Sequence, residues 1–193
     1  MSRPDLSEDL IHWMKGDSYE EAFDVLVKIV IEENLLAGTG MIKGGYKCVC
    51  FTESPINAFH KIKGKYKPFG FAFTKSLMYS LGARPVIYQN ELEYFDLPES
   101  LQWRHVRFDL VGPPIVDFTW EREWRLLADL VKLNPQDVRI ILPSGDWREK
   151  LIDHFDFEQI MYCHYVNSLH GEWIASPEEF PYRTLVDPFD SID

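Results

Sequence analysis

The stretch from Cys50 to Tyr88 (CFTESPINAFHKIKGKYKPFGFAFTKSLMYSLGARPVIY) limits the size of the elements this chain can form. Proline and glycine recur so often in it that no segment has room for a long helix. A strand end at Cys50–Thr52 meets Ser54-Pro55, where serine suits a helix cap and proline the first helical position. This start predicts a helix to about Lys61. Phe69-Gly70-Phe71-Ala72-Phe73 reads as a strand, Ser76–Leu81 as a short helix closed by Gly82, and Pro85–Tyr88 as another strand. Such short, mixed elements must pair with distant parts of the chain to find a core.

Those partners are visible on both sides. Leu10-Ile11-His12-Trp13-Met14 is an apolar run with one titratable side chain inside it, a first strand or a first helical turn. Asp17 and Ser18 each precede a glutamate by three residues (Glu20, Glu21), the spacing of a capping box. Ala22, Phe23, Leu26, Ile29 and Val30 follow at helical spacing, so an amphipathic helix is predicted, with Gly38 as its stop. Gly38–Gly45 is glycine-rich but lacks the Gly-Lys-Ser/Thr of a phosphate loop. Tyr46–Phe51 alternates as a strand.

Downstream, Gln89–Gln102 is acidic and irregular, and Arg107–Val111 and Ile115–Phe118 are strand-like. Trp120–Leu127 alternates throughout, with Glu121, Glu123, Arg125 and Leu127 on one side and Trp120, Arg122, Trp124 and Leu126 on the other. Val138–Leu142 reads as a buried strand, Asp146–Phe155 as a helix and Gln159–Tyr165 as a last strand. Strands outnumber helices and do not alternate strictly with them, which excludes a doubly wound fold. The expectation is a single α+β domain over residues 1–193, with a mixed or split β-sheet flanked by helices. Residues 1–9 and 176–193 are expected to be peripheral or partly mobile.

Composition narrows the function classes. With 46% apolar and 15% aromatic residues in 193, the chain can bury a core, which excludes disorder. Its apolar runs fall short of the ~20 residues needed to span a bilayer, and the first residues lack a signal layout. Cys48, Cys50 and Cys163 cannot all pair, so a reduced, cytoplasmic protein with no membrane partner is expected. Cys48-x-Cys50 is too close for a zinc knuckle, and no metal is expected. A net charge of −11 argues against a surface coated for nucleic acid. The exception is local: Lys61, Lys63, Lys65 and Lys67, beside His60, form either a basic track or a solvated loop.

Four sets of residues carry potential chemistry. Glu121 and Glu123, on one face of a strand, repel each other unless Arg125 pairs with one of them. They could stabilise a developing positive charge and activate a nucleophile, or form an ordinary Glu/Arg ladder on an exposed edge. His12 is either a ligand-binding group or a hydrogen-bonded core histidine. Lys75, between an aromatic strand and a helix, can reach into a cleft at the strand end. Thr52 and Ser54 either line such a cleft or simply cap a helix.

Laid out in this order, the residues of Leu10–Leu127 resemble the ADP-ribosyltransferase superfamily, in particular DarT-like proteins and small bacterial families linked to abortive phage infection. Leu10-Ile11-His12-Trp13 resembles a first-strand motif whose histidine binds a ribose of NAD. The helix ending in Leu35-Leu36-Ala37-Gly38 resembles the helix that follows it. Cys50-Phe51-Thr52-Glu53-Ser54-Pro55 is similar to a segment of the phage-resistance relatives. Pro68–Tyr79 is similar to the aromatic strand and short helix that hold the nicotinamide end of NAD. Glu121-Arg122-Glu123-Trp124-Arg125 resembles the late strand that carries the catalytic glutamate. Lys75 stands where DarT-type enzymes have an arginine; it keeps the charge and loses the planar fork.

The resemblance implies an ADP-ribosyltransferase-like fold and NAD as substrate. Glu123 would stabilise the ribosyl cation, Glu121 would orient or deprotonate the acceptor, and Lys75 would meet the pyrophosphate or assist the acceptor. His12 and Trp13 would contact the adenosine-side ribose, Phe71, Phe73 and Tyr79 would wall the nicotinamide, and Thr52 and Ser54 would line the site. The lysine run would guide the pyrophosphate or a nucleic-acid acceptor. The acceptor, nucleic acid or protein, is not specified. The biological role implied is phage defence or toxicity. The alternative is a catalytically inactive NAD- or ADP-ribose-binding or protein-interaction module on the same fold, acting as antitoxin or sensor with a partner protein.

Overall fold

The computed structural model describes residues 7–56, 58, 66–111, 113–154 and 182–186. In chain order the first elements are β1 (Asp9–Trp13), α1 (Tyr19–Glu32), β2 (Asn34–Leu36), β3 (Cys48–Thr52), β4 (Gly70–Thr74) and α2 (Lys75–Ser80). Then come β5 (Arg84–Pro85), β6 (Ile87–Gln89), α3 (Glu99–Gln102) and β7 (His105–Arg107). The last are β8 (Glu123–Leu127), β9 (Leu130–Lys132), β10 (Val138–Leu142), α4 (Gly145–Asp153) and β11 (Arg183–Val186).

One sheet organises them, in the order β11-β10-β4-β1-β3-β8-β5. From β10 to β5 its six strands are all antiparallel, and β11 joins β10 in parallel. Two small sheets, β2-β9 and β6-β7, flank it. The architecture is α+β. Among the described residues, no helix is long and apolar enough to cross a membrane.

Strand β4 lies between β10 and β1, so both of its edges are paired. Phe71 and Phe73 sit on one face, level with Ile140 and Val138 of β10 and with His12 and Leu10 of β1. Helix α1 covers that face with Ala22, Phe23, Leu26, Val27 and Val30. Phe69, Phe23 and Trp147 of α4 close one end of the core with their rings at 4.9–5.8 Å. The opposite face carries the smaller cluster of Ile11, Trp13, Ala72 and Ile141.

Several boundaries differ from the sequence expectation. The Ser18 side chain caps α1, accepting from Glu21 N–H, and the Glu21 carboxylate accepts from Asp17 N–H. The helix ends at Glu32, with Glu33 left-handed (φ 53), rather than at Gly38. Residues 34–36 are drawn off to pair with β9, which buries Leu35; tertiary pairing overrides the helical pattern. Arg107–Val111 and Ile115–Phe118 shrink to β7 and a single bridge, Asp109 to Val116. Arg183–Val186, expected in a loose tail, is the edge strand beside β10. The strand expected at Gln159–Tyr165 and half of the helix expected from Ser54 to Lys61 lie outside the described residues.

The sheet opens at one seam. β1 pairs with β4 at five positions, and β3 with β8 at five, but β1 and β3 share only Ile11↔Thr52. Beyond that point β1 continues along the β4 side, where Met14 N–H donates to Phe69 O and Lys67 N–H to Met14 O. Strand β3 instead exchanges two backbone bonds between Cys48 and Gly38. The chain therefore builds a wedge between two well-paired halves.

Gly70 makes the close approach of β4 to β1 possible. A Cβ there would stand 2.8 Å from the His12 carbonyl oxygen and 3.0 Å from the Trp13 ring. Gly70→Ala is expected to lower stability by about 1–3 kcal/mol through overpacking, read as a lower urea midpoint. An unchanged midpoint would mean that β1 yields at no cost.

Candidate functional site

Residues on both sides of the wedge between β1 and β3 line a cavity of about 910 Å3. His12, Trp13 and Lys15 line it from β1 and its extension, Cys50 and Thr52 from β3, and Glu121, Glu123 and Arg125 from the far side. Its size falls in the range of small-molecule and cofactor sites.

His12 sits where the strands part. Its Nδ1 lies 2.8 Å from the Cys50 carbonyl oxygen, a group on the edge of β3 that β1 no longer reaches. A carbonyl only accepts, so Nδ1 carries the proton and donates, and in the neutral ring Nε2 is left as an acceptor. Burial lowers the His12 pKa below 6.5; the bond to Cys50 opposes this and the Lys15 charge adds to it.

Glu121 and Glu123 reach the cavity by a different backbone from the one their spacing suggests. Thr119–Glu121 is a 3-10 turn, Arg122 is left-handed (φ 44), and β8 begins only at Glu123. The expected strand pair of acids is therefore corrected to a turn residue followed by a strand residue. Alternation in the sequence hid the turn, because three tertiary bonds hold it. Thr52 Oγ1 donates to Glu121 O, Ser54 Oγ donates to Trp120 O at 2.8 Å, and Glu53 N–H donates to Arg122 O at 3.1 Å. Thr52 also accepts from Ser54 N–H at 3.0 Å. Thr52 and Ser54 thus clamp the acidic turn, and Ser54 is absent from the cavity wall.

Each carboxylate has a defined partner. Arg125 Nε donates to Glu123 Oε1 at 2.8 Å, and Arg125 Nη1 donates to Trp103 O at 2.8 Å and His105 O at 3.0 Å. Arg125 is 3% exposed, so this is a buried ion pair that also ties β7 to the main sheet. Glu121 Oε2 accepts from Tyr66 Oη at 3.4 Å. The Tyr88 hydroxyl accepts from Glu123 N–H at 3.1 Å and donates to Phe118 O at 3.2 Å. Burial, then the Glu121 and Glu123 charges, raise the Tyr66 pKa. Burial is also the main cause of the rise of Tyr88 to about 12. Burial pushes Cys50 to about 12, with Glu123 adding to it, and Cys48 to about 11. At neutral pH both thiols are protonated, which removes them as nucleophiles.

The remaining residues singled out in the sequence do not converge here. Phe71 and Phe73 are 0% and 2% exposed and belong to the core under α1, so neither ring can wall a ligand. Lys75 Nζ pairs with Glu53 Oε1, whose other oxygen accepts from Trp124 Nε1 at 3.0 Å. Trp124 alternates with Glu123 along β8, and neither it nor Lys75 is part of the cavity wall. Tyr79 is 54% exposed on α2, also away from the cavity. Of the lysine run, Lys67 is described, and it holds β1 through its backbone; Lys61, Lys63 and Lys65 lie outside the described residues. Tyr66, Tyr88 and Glu53 carried no local signal, since their partners are far away in the chain.

Comparison of the chain with protein-family models, with curated proteins and with solved structures gives no match.

The His12 shift has a signed consequence. Its folded pKa lies below 6.5, so the unfolded chain takes up the proton first as pH falls. The stabilising contribution is complete above 6.5 and is lost as pH drops through the folded value. His12→Gln is expected to flatten the fall in urea-unfolding free energy between about pH 7 and pH 5. Parallel curves for the two proteins would assign that fall to other groups.

Proposed function

We propose that the chain is an NAD-dependent ADP-ribosyltransferase with an ADP-ribosyltransferase-like fold. The reading is carried by one observation: His12 and Glu123, from strands on the two sides of the seam, line the same cavity. Cleavage of the nicotinamide–ribose bond develops an oxocarbenium-like centre, and a fixed carboxylate beside it stabilises the charge. Arg125 holds Glu123 in one orientation, as such a group requires. Glu121, on the clamped turn, is placed to orient or deprotonate an acceptor. His12, with Nε2 as an acceptor, suits a ribose hydroxyl. The acceptor is a nucleic acid or a protein, and a role in phage defence or toxicity fits such a transfer.

A second reading has its own support. Lys75 is committed to Glu53 and the Phe71 and Phe73 rings are buried, so part of the contact set implied by the resemblance is missing. That favours a non-catalytic module that binds NAD or ADP-ribose and signals to a partner protein.

The two readings separate in one experiment on the purified chain. As a transferase it releases nicotinamide from NAD, and Glu123→Gln lowers the rate by about 10²–10³-fold while NAD still binds. As a binding module it gains thermal stability with NAD or ADP-ribose and releases no nicotinamide with any acceptor. Absence of both thermal shift and release would remove NAD from the account.

A further inference from the structure

Arg84 of β5 and Arg104, which precedes β7, lie outside the cavity wall and form a cationic pair of a different kind from the rest of the molecule. Arg84 Nη1 donates to Tyr79 O at 2.9 Å and Ala83 O at 2.7 Å. Its guanidinium carbon lies 3.9 Å from the centre of the Tyr79 ring. Arg104 Nε donates to Pro85 O at 2.9 Å, which brings its head group to the strand that carries Arg84. Two backbone carbonyls and the Tyr79 ring therefore hold the Arg84 guanidinium, and the Pro85 carbonyl holds Arg104, before any ligand arrives.

Neither arginine has a carboxylate partner among the described residues. Elsewhere Lys43, Lys75, Arg125 and Arg139 are each paired with an acid. In a chain of net charge −11, these two partly exposed cations, joined through the Arg104 bond to Pro85, the residue after Arg84, are open to an anion. Burial and, after it, the Arg84 charge lower the pKa of Arg104, which places the two charges within electrostatic reach of each other. The bonds already made leave Nε and Nη2 of Arg84, and both Nη groups of Arg104, as donors. This is the fork geometry that suits phosphate oxygens.

We propose that Arg84 and Arg104, on the floor provided by Tyr79, bind the phosphate group of a small phosphorylated ligand, a phosphomonoester or a pyrophosphate. The strongly acidic chain repels a long polyanion, which selects a small ligand over a nucleic-acid backbone. The site is independent of the chemistry proposed for the cavity.

The test is calorimetric titration of the full chain with inorganic pyrophosphate and with adenosine 5′-monophosphate, at fixed ionic strength. Wild-type protein is expected to bind one equivalent saturably, and Arg84→Gln/Arg104→Gln to lose at least about tenfold in affinity. Arg84→Lys keeps the charge and loses the fork, so it should also weaken binding while its circular dichroism spectrum stays that of wild type. Equal affinity in wild type and the double variant, or no saturable binding by wild type, overturns the proposal. Tighter binding of a short single-stranded oligonucleotide, with a steep salt dependence, overturns the small-ligand assignment.

Discussion

The hydrogen bond from His12 Nδ1 to the Cys50 carbonyl holds the architecture open at its most vulnerable line. A sheet that parts between two strands leaves backbone groups without partners, and a buried carbonyl without one costs about 1–3 kcal/mol. The imidazole fills the position that the next strand residue would have occupied. It does so from β1, the strand that is moving away, so the bond spans the gap without closing it. A lysine there would bring a charge into the wedge, and an apolar side chain would leave the carbonyl bare. Only a short, rigid donor that stays neutral when buried satisfies both demands.

A second buried interaction fixes the other wall. Arg125 engages Glu123 and two carbonyls around β7 at once. A buried ion pair need not add stability, since desolvating two charges offsets their attraction. Its effect here is geometric: the Glu123 carboxylate, the β6-β7 ribbon and the main sheet share one joint. The neighbouring residue of β8 does the same on the opposite face, where Trp124 meets Glu53 and Lys75. Strand β8 is therefore anchored by charge-assisted bonds on both faces, and the acidic turn before it is clamped by Thr52 and Ser54.

Local pattern made much of the fold legible. α1 and β10 follow from periodicity and runs of apolar residues, because packing on one face, or burial on both, leaves a direct trace in sequence. β4 was legible as a strand, but not its depth; the resemblance implied that Phe71 and Phe73 wall a ligand, whereas α1 packs over their face and β10 and β1 pair with both edges. Glu121-Arg122-Glu123-Trp124-Arg125 alternates as a strand should, and nothing local reveals that Arg122 turns left-handed. That conformation is imposed by bonds from residues some seventy positions away. His12 could be singled out because it is polar within an apolar stretch, and Glu123 because it stands two residues from Glu121 in an alternating segment. Tyr66 and Tyr88 could not, because their importance comes only from what they touch.

The distribution of charge sharpens this contrast. The chain carries 31 acids against 20 lysines and arginines, so a cation has many acids to choose from. Lys43 with Glu91 and Arg139 with Asp9 staple distant segments, and Arg125 and Lys75 fix β8. Cations that serve the fold are thus matched to carboxylates. Arg84 and Arg104 are instead held by carbonyl oxygens, which orient a guanidinium without neutralising it. Orientation without neutralisation stabilises the folded chain little and keeps the electrostatic attraction for an anion intact. The same distinction applies to the two walls of the cavity: Glu123 is oriented and neutralised by Arg125, whereas His12 is oriented and left uncharged. At these two residues a ligand entering the wedge meets a fixed dipole and a compensated carboxylate, so the charges it can answer directly are those of Lys15 and Glu121, which line the same cavity.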